Sequence, residues 1–137
     1  MTLDVVLSKL ESLSRILERL ESRKHLTAKE LECQLDDQDV VILNLERAVQ
    51  ICSDLAALIC SRKLNLNPTT TADSFRILAE AGLIHPDLAE KMRKAVGFRN
   101  LAVHEYSRIN FQIVANILSD RLDDFRSFAR AMHSLPL

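Results

Sequence analysis

Between Val96 and Tyr106 the chain reads Val-Gly-Phe-Arg-Asn-Leu-Ala-Val-His-Glu-Tyr, which sets Arg99, Asn100, His104 and Tyr106 into a short, largely apolar segment. Each of these side chains has a chemistry to offer. The planar fork of Arg99 fits two phosphate oxygens at once. The imidazole of His104 is of the type that takes or gives a proton near neutral pH. Asn100 can orient either group, and the phenol of Tyr106 becomes a nucleophile once a base removes its proton. Arg-x4-His alone is a weak signal, expected about 0.35 times by chance at this Arg and His content. The added Asn and Tyr make the pattern specific. No Asp/Glu cluster carries a His at ligand spacing, and Cys33, Cys52 and Cys60 are odd in number without a CxxC. Neither a metal site nor a disulfide framework is indicated, and no cofactor is expected.

The same residues have a plain structural use. Arg99 can pair with a carboxylate, His104 can hydrogen-bond at a helix end, and Tyr106 can pack with its hydroxyl satisfied. Helical geometry bears on the choice. At ~100° per residue, Arg99 and Tyr106 share one side of a straight helix, while Asn100 and His104 share another some ~120° away. Convergence therefore requires the helix to end or bend near Val103 to Tyr106, or a second copy of the site to supply the missing groups.

The elements that must position these residues are helices. With 137 residues, 47% of them hydrophobic, two Gly, three Pro and no Trp, the chain predicts one all-α domain over 1–137 with a single core. No run of ~18 apolar residues would span a membrane and no signal peptide is visible, so a cytoplasmic protein is expected. Net charge of −1 argues against indiscriminate polyanion binding. The charge is uneven, however: Lys91, Arg93, Lys94, Arg99 and Arg108 face only Glu105 around the motif, making Lys91, Lys94 and Arg108 candidate phosphate contacts. Conversely, Glu30, Glu32, Asp36, Asp37 and Asp39 are opposed only by Lys29.

The periodicity supplies about five helices with short connections, an antiparallel bundle. Leu3, Val6, Leu10, Leu13, Leu17 and Leu20 make one seam of an opening helix, capped by Thr2 and carrying an exposed Glu11–Arg15 pair. Thr27 to Glu30 reads as a capping box for a short helix to about Gln34. The longest helix follows from the Asp36–Asp39 region to Arg62, with one stripe through Val40, Leu43, Ala48, Ile51 and Leu55 and a second through Val41, Leu45, Cys52 and Ile59. Two stripes predict the most buried helix, with Cys52 and Cys60 as small apolar residues. After a Thr-rich loop, Thr70 or Thr71 caps a helix whose face is Phe75, Leu78 and Ala79, and Gly82 stops it. His85 caps and Pro86 opens the helix that enters the motif. A last helix of six turns is predicted from about Asn110, with Phe111, Val114, Ile117, Leu118, Leu122, Phe125 and Phe128 on its apolar stripe.

Arg, a polar residue, a short spacer and His-x-Tyr form the signature that Arg99, Asn100, His104 and Tyr106 match without departure, and here the chain resembles the HEPN family. It is most similar to the HepT-type toxins of MNT–HEPN toxin–antitoxin pairs. The resemblance implies a two-fold dimer whose cleft joins both motifs, and an RNA substrate rather than DNA, cut without a metal by Arg99 and His104 with Asn100 assisting. It also implies an MNT-type nucleotidyltransferase partner that adenylylates Tyr106. The alternative is a non-catalytic HEPN module binding a nucleotide or an acidic protein in the same basic cleft.

Overall fold

The computed structural model describes residues 2–136, and all regular structure among them is helical. Helices α1 (Thr2–Glu21), α2 (Ala28–Cys33), α3 (Leu35–Arg62), α4 (Thr71–Glu80) and α5 (Pro86–His104) lead into a 3-10 turn (Tyr106–Arg108). Then come α6 (Phe111–Asn116), a π-helical turn (Ile117–Arg121) and α7 (Leu122–His133). The shaft is α3, against which α1, α4, α5 and α7 all pack, while α2 bridges α3 and α6. The predicted all-α bundle is what forms.

Local chemistry explains most boundaries. The α1 seam buries Val6, Leu13, Leu17 and Leu20, although Leu3 at its outer end stays exposed. Thr2 is already helical and so is not the cap expected of it. Arg15 and Glu11 pair at 2.8 Å. The capping box is complete: the Thr27 hydroxyl accepts from the Glu30 amide and the Glu30 carboxylate from the Thr27 amide, both at 3.2 Å. Gly82 adopts φ +77°, and Leu83 N–H reaches back to the Leu78 carbonyl at 2.9 Å, closing α4 in a Schellman turn. His85 caps α5 through Nδ1, which accepts from the Asp87 amide at 3.0 Å.

Two further expectations need correction. The stripes of α3 are unequal: Val41, Leu45, Cys52 and Ile59 are buried, whereas Val40 is half-buried and Leu43 exposed. Two residues from Leu45 on a helix is about 160° around the axis, which turns Leu43 to the outside. The last helix is not continuous either. Asn110 caps it as expected, its Oδ1 accepting from the Gln112 amide at 2.9 Å, but the π turn interrupts it after six residues. Apolar spacings of 3 and 4 run on both sides of that turn, so the stripe does not reveal it.

The core closes around α3. Leu55, Ile59, Cys60, Phe75 and Phe128 are fully buried, and the two rings meet edge to face with centroids 5.4 Å apart. Burial pushes the thiols of Cys52 and Cys60 upward, while Cys33 lies exposed. Among the described residues no helix is long and apolar enough to cross a membrane.

Candidate active site

The whole Arg99 to His104 stretch lies on the last turns of α5. Ala89, Met92 and Val96 form the buried stripe of that helix at spacings of 3 and 4, and Arg99 continues it by one more step of 3. Its aliphatic stem therefore follows the core face. Its guanidinium Nε is buried without a hydrogen-bond partner among the described residues. The fork is unspent.

Asn100 and His104 lie one turn apart on another face, and both are exposed. The helix runs unbroken through His104 and leaves regular geometry at Glu105, with φ −139° and ψ 54°. The break thus comes after His104 and cannot reunite it with Arg99, which sits five residues back and about 140° around the axis. Past the break, Tyr106 opens the 3-10 turn and is 43% exposed. Its hydroxyl donates to Gln38 Oε1 on α3 at 3.0 Å. Burial pushes its phenol above the ordinary value, and the carboxylates of Asp39 and Glu46 act in the same direction. Of the three structural uses open to the motif, only the satisfied Tyr106 hydroxyl is realised among the described residues.

The candidate phosphate contacts divide. Lys91 pairs with Asp124 at 3.7 Å and Arg108 with Glu105 at 3.2 Å, whereas Lys94 has no ion pair among the described residues. Lys91 and Lys94 border a groove of about 440 Å³ with an apolar floor that includes Leu45, Phe98, Ile117 and Phe125. None of Arg99, Asn100, His104 and Tyr106 lines it. The groove follows the side of α5 turned away from Asn100, so the basic excess around the motif is spread over two faces.

Sequence reasoning missed Gln38 and the acidic neighbours of Tyr106. The Gln38–Tyr106 contact joins residues 68 apart, and nothing in local periodicity signals such a pair.

A helical bundle that carries Arg-Asn and His-x-Tyr at the free end of its fifth helix has the HEPN arrangement. The chain belongs to the HepT-like ribonuclease family, which it matches over residues 10–132. It is 33% identical over 125 residues to the mRNA nuclease HepT of Shewanella oneidensis, with 91% of this chain and 93% of that protein covered. It is 23% identical over 130 residues to the tRNA nuclease HepT of Aphanizomenon flos-aquae, covering 95% and 88%. Among solved structures it superimposes on a tri-AMPylated Shewanella oneidensis HEPN toxin in complex with MNT antitoxin, with a TM-score of 0.88, 31% identity and coverage of 96% and 98%. A toxin–antitoxin structure with AMP-PNP gives a TM-score of 0.86 at 31% identity, covering 94% and 98%.

Proposed function

We propose that this chain is the toxin of a toxin–antitoxin pair and cuts RNA by acid–base chemistry in the cleft of a two-fold dimer. The observation that carries this reading is the buried Arg99 Nε, without a hydrogen-bond partner among the described residues, on the same end of α5 as an exposed His104. Because the two point about 140° apart on one helix, a second copy brought across the end of α5 is the natural source of the complementary group. The nuclease names of its relatives support the substrate class.

RNA carries its own nucleophile, so no metal-activated water is required. The 2′-oxygen attacks the adjacent phosphorus as its proton leaves, and the 5′-oxygen departs as it gains one. That leaves a 2′,3′-cyclic phosphate and a 5′-hydroxyl. His104 holds or gives the proton, Arg99 spreads the charge building on the phosphorane oxygens, and Asn100 orients His104 or the phosphate. DNA lacks the 2′-hydroxyl and is not a substrate for this route. An MNT-type nucleotidyltransferase silences the chain by attaching AMP to Tyr106, next to the same end of α5. The modified relative in complex with MNT antitoxin supports that part of the reading. A toxin–antitoxin pair of this kind works in the cytoplasm.

The test is cleavage of labelled RNA by the purified chain. Cutting is expected to persist in EDTA, to leave 2′,3′-cyclic ends, and to fall by about 10²–10⁴ in His104→Ala. Loss with the chelator, or an unchanged rate in His104→Ala, overturns this mechanism, whereas no cleavage by the purified chain favours the non-catalytic binding module.

A further inference from the structure

Tyr106 is tied into a chain of polar contacts that joins three elements. Its hydroxyl donates to Gln38 Oε1 at 3.0 Å, and Gln38 Nε2 donates in turn to the Leu31 carbonyl at 3.0 Å. Gln38 is 9% exposed. Leu31 lies in the last turn of α2, where the helix stops at Cys33 and its final carbonyls lack helical partners. The Gln38 amide therefore serves both ends at once: it closes α2 and holds the 3-10 turn of Tyr106 against α3. Asp39 and Glu46 act on the same phenol from α3.

This pose does not suit a nucleophile. The phenol proton is aimed at an amide oxygen, which does not accept a proton at neutral pH, and the negative charge of Asp39 and Glu46 works against both a phenolate and an anionic triphosphate near it. We propose that the Gln38-bound position of Tyr106 is a parked, unreactive pose, and that the turn must swing off α3 before Tyr106 can be adenylylated. Gln38, Asp39 and Glu46 are then positioning residues that set how fast the modification occurs. The proposal rests on the reading of Tyr106 as the modified residue.

The chemistry makes the release one-way. The phenolic oxygen forms a bond to the α-phosphorus of Mg²⁺-ATP, the bond from that phosphorus to the bridging oxygen breaks, and pyrophosphate leaves. The phenol proton passes to a base on the nucleotidyltransferase. The product has no hydrogen to donate to Gln38 and carries a negative phosphodiester, which Asp39 and Glu46 repel. The modified side chain cannot return to α3. It is held on the open side of the turn, at the end of α5 where Asn100 and His104 are exposed. Silencing thereby follows from where AMP cannot sit as much as from its bulk.

The experiment uses the full chain with its cognate MNT-type nucleotidyltransferase, ATP and Mg²⁺, and follows AMP addition by intact mass. Tyr106 is the sole tyrosine, and Tyr106→Phe is the control. Gln38→Leu is expected to be modified about fivefold faster, the factor corresponding to one neutral hydrogen bond, and the double variant Asp39→Asn/Glu46→Gln is expected to be modified faster than the parent chain through loss of the two charges. The double variant should also shift its pH–rate profile toward lower pH, and RNA cleavage by both unmodified variants should match the parent chain. In the parent chain, modification should lower amide-exchange protection across residues 31–38. If Gln38→Leu fails to fold, the double variant decides. Equal or slower modification in the variants, with exchange at residues 31–38 unchanged by AMP, overturns the parked pose alone. No AMP on the parent chain, or AMP persisting in Tyr106→Phe, overturns the assignment of Tyr106 and this inference with it.

Discussion

Around α3 the fully buried Leu55, Ile59, Cys60, Phe75 and Phe128 belong to one dense core, whereas from Asn100 to Arg108 only Ala102 is buried. The first region earns stability from apolar area removed from water, and its buried polar groups are few, among them the Ser53 hydroxyl, which donates to the Val49 carbonyl at 2.8 Å. The second region contributes little of that kind. It presents His104 to solvent and, among the described residues, leaves the buried Arg99 Nε without a partner and gives the Tyr106 hydroxyl one hydrogen bond, to Gln38. A fold that places its reactive groups where burial is poor separates what keeps it folded from what it does. Substitutions in the two regions should therefore fail in different assays.

The sharpest form of that contrast pairs Phe75→Ala with Arg99→Lys. Phe75 is fully buried and meets Phe128 edge to face, so its truncation should cost about 3–5 kcal/mol in urea unfolding, a large share of the stability of a domain this size. Arg99→Lys keeps the charge and most of the stem but loses the planar fork. It should leave the unfolding midpoint near that of the parent chain and still fail to cleave RNA. Arg99→Lys with parental cleavage would mean that a point charge suffices and that the fork has no role. A large fall in midpoint would place Arg99 with the core instead.

The same division governs what could be read from the sequence. Helices were legible wherever a cap or stop residue coincides with a change in periodicity: Thr27 with Glu30, Thr70 before α4, Gly82 at φ +77°, and His85 before Pro86. These are local effects, fixed within four residues. The motif was legible because its residue types are unusual together, and helical angles alone showed that Arg99 and His104 diverge. What depended on partners far along the chain was not legible. The outward turn of Leu43 follows from how α3 is packed, and the Tyr106–Gln38 bond spans 68 residues. The π turn at Ile117–Arg121 leaves the 3 and 4 spacing intact and so gave no sign of itself.

Gly97 tests where the two regions meet. It lies exposed in the middle of α5, on the face of Asn100 and His104, and a Cβ built on it meets nothing within 4 Å. A glycine there weakens the helix relative to alanine with no compensation inside the chain, so Gly97→Ala should stabilise it by about 0.5–1 kcal/mol. If a second copy crosses α5 on this face, the added methyl stands in its way. The expected outcome is a higher Tm together with weaker association in sedimentation and slower RNA cleavage. A more stable variant that associates and cleaves like the parent would move the dimer contact to another face.

The smallest effect concerns the proton on Tyr106, the one group of the site that touches both regions. Burial, followed by Asp39 and Glu46, raises its phenol above the ordinary value near 10. The folded chain thus keeps this proton to higher pH than the unfolded chain does. A raised folded value contributes stability that is fully present below the unfolded value and is lost as pH rises through the folded one. The contribution should be intact at neutral pH and fade only from about pH 10 upward. With no Trp and one Tyr, phenolate absorbance reports the group directly. The native midpoint should lie above that of the same chain in urea, under conditions where far-ultraviolet dichroism shows the helices intact. Asp39→Asn/Glu46→Gln should bring the native midpoint part of the way down, leaving the share due to burial. Coincident native and denatured midpoints would show that Tyr106 is solvated like a free phenol, which would detach it from α3 and from the acidic neighbours argued to hold it there.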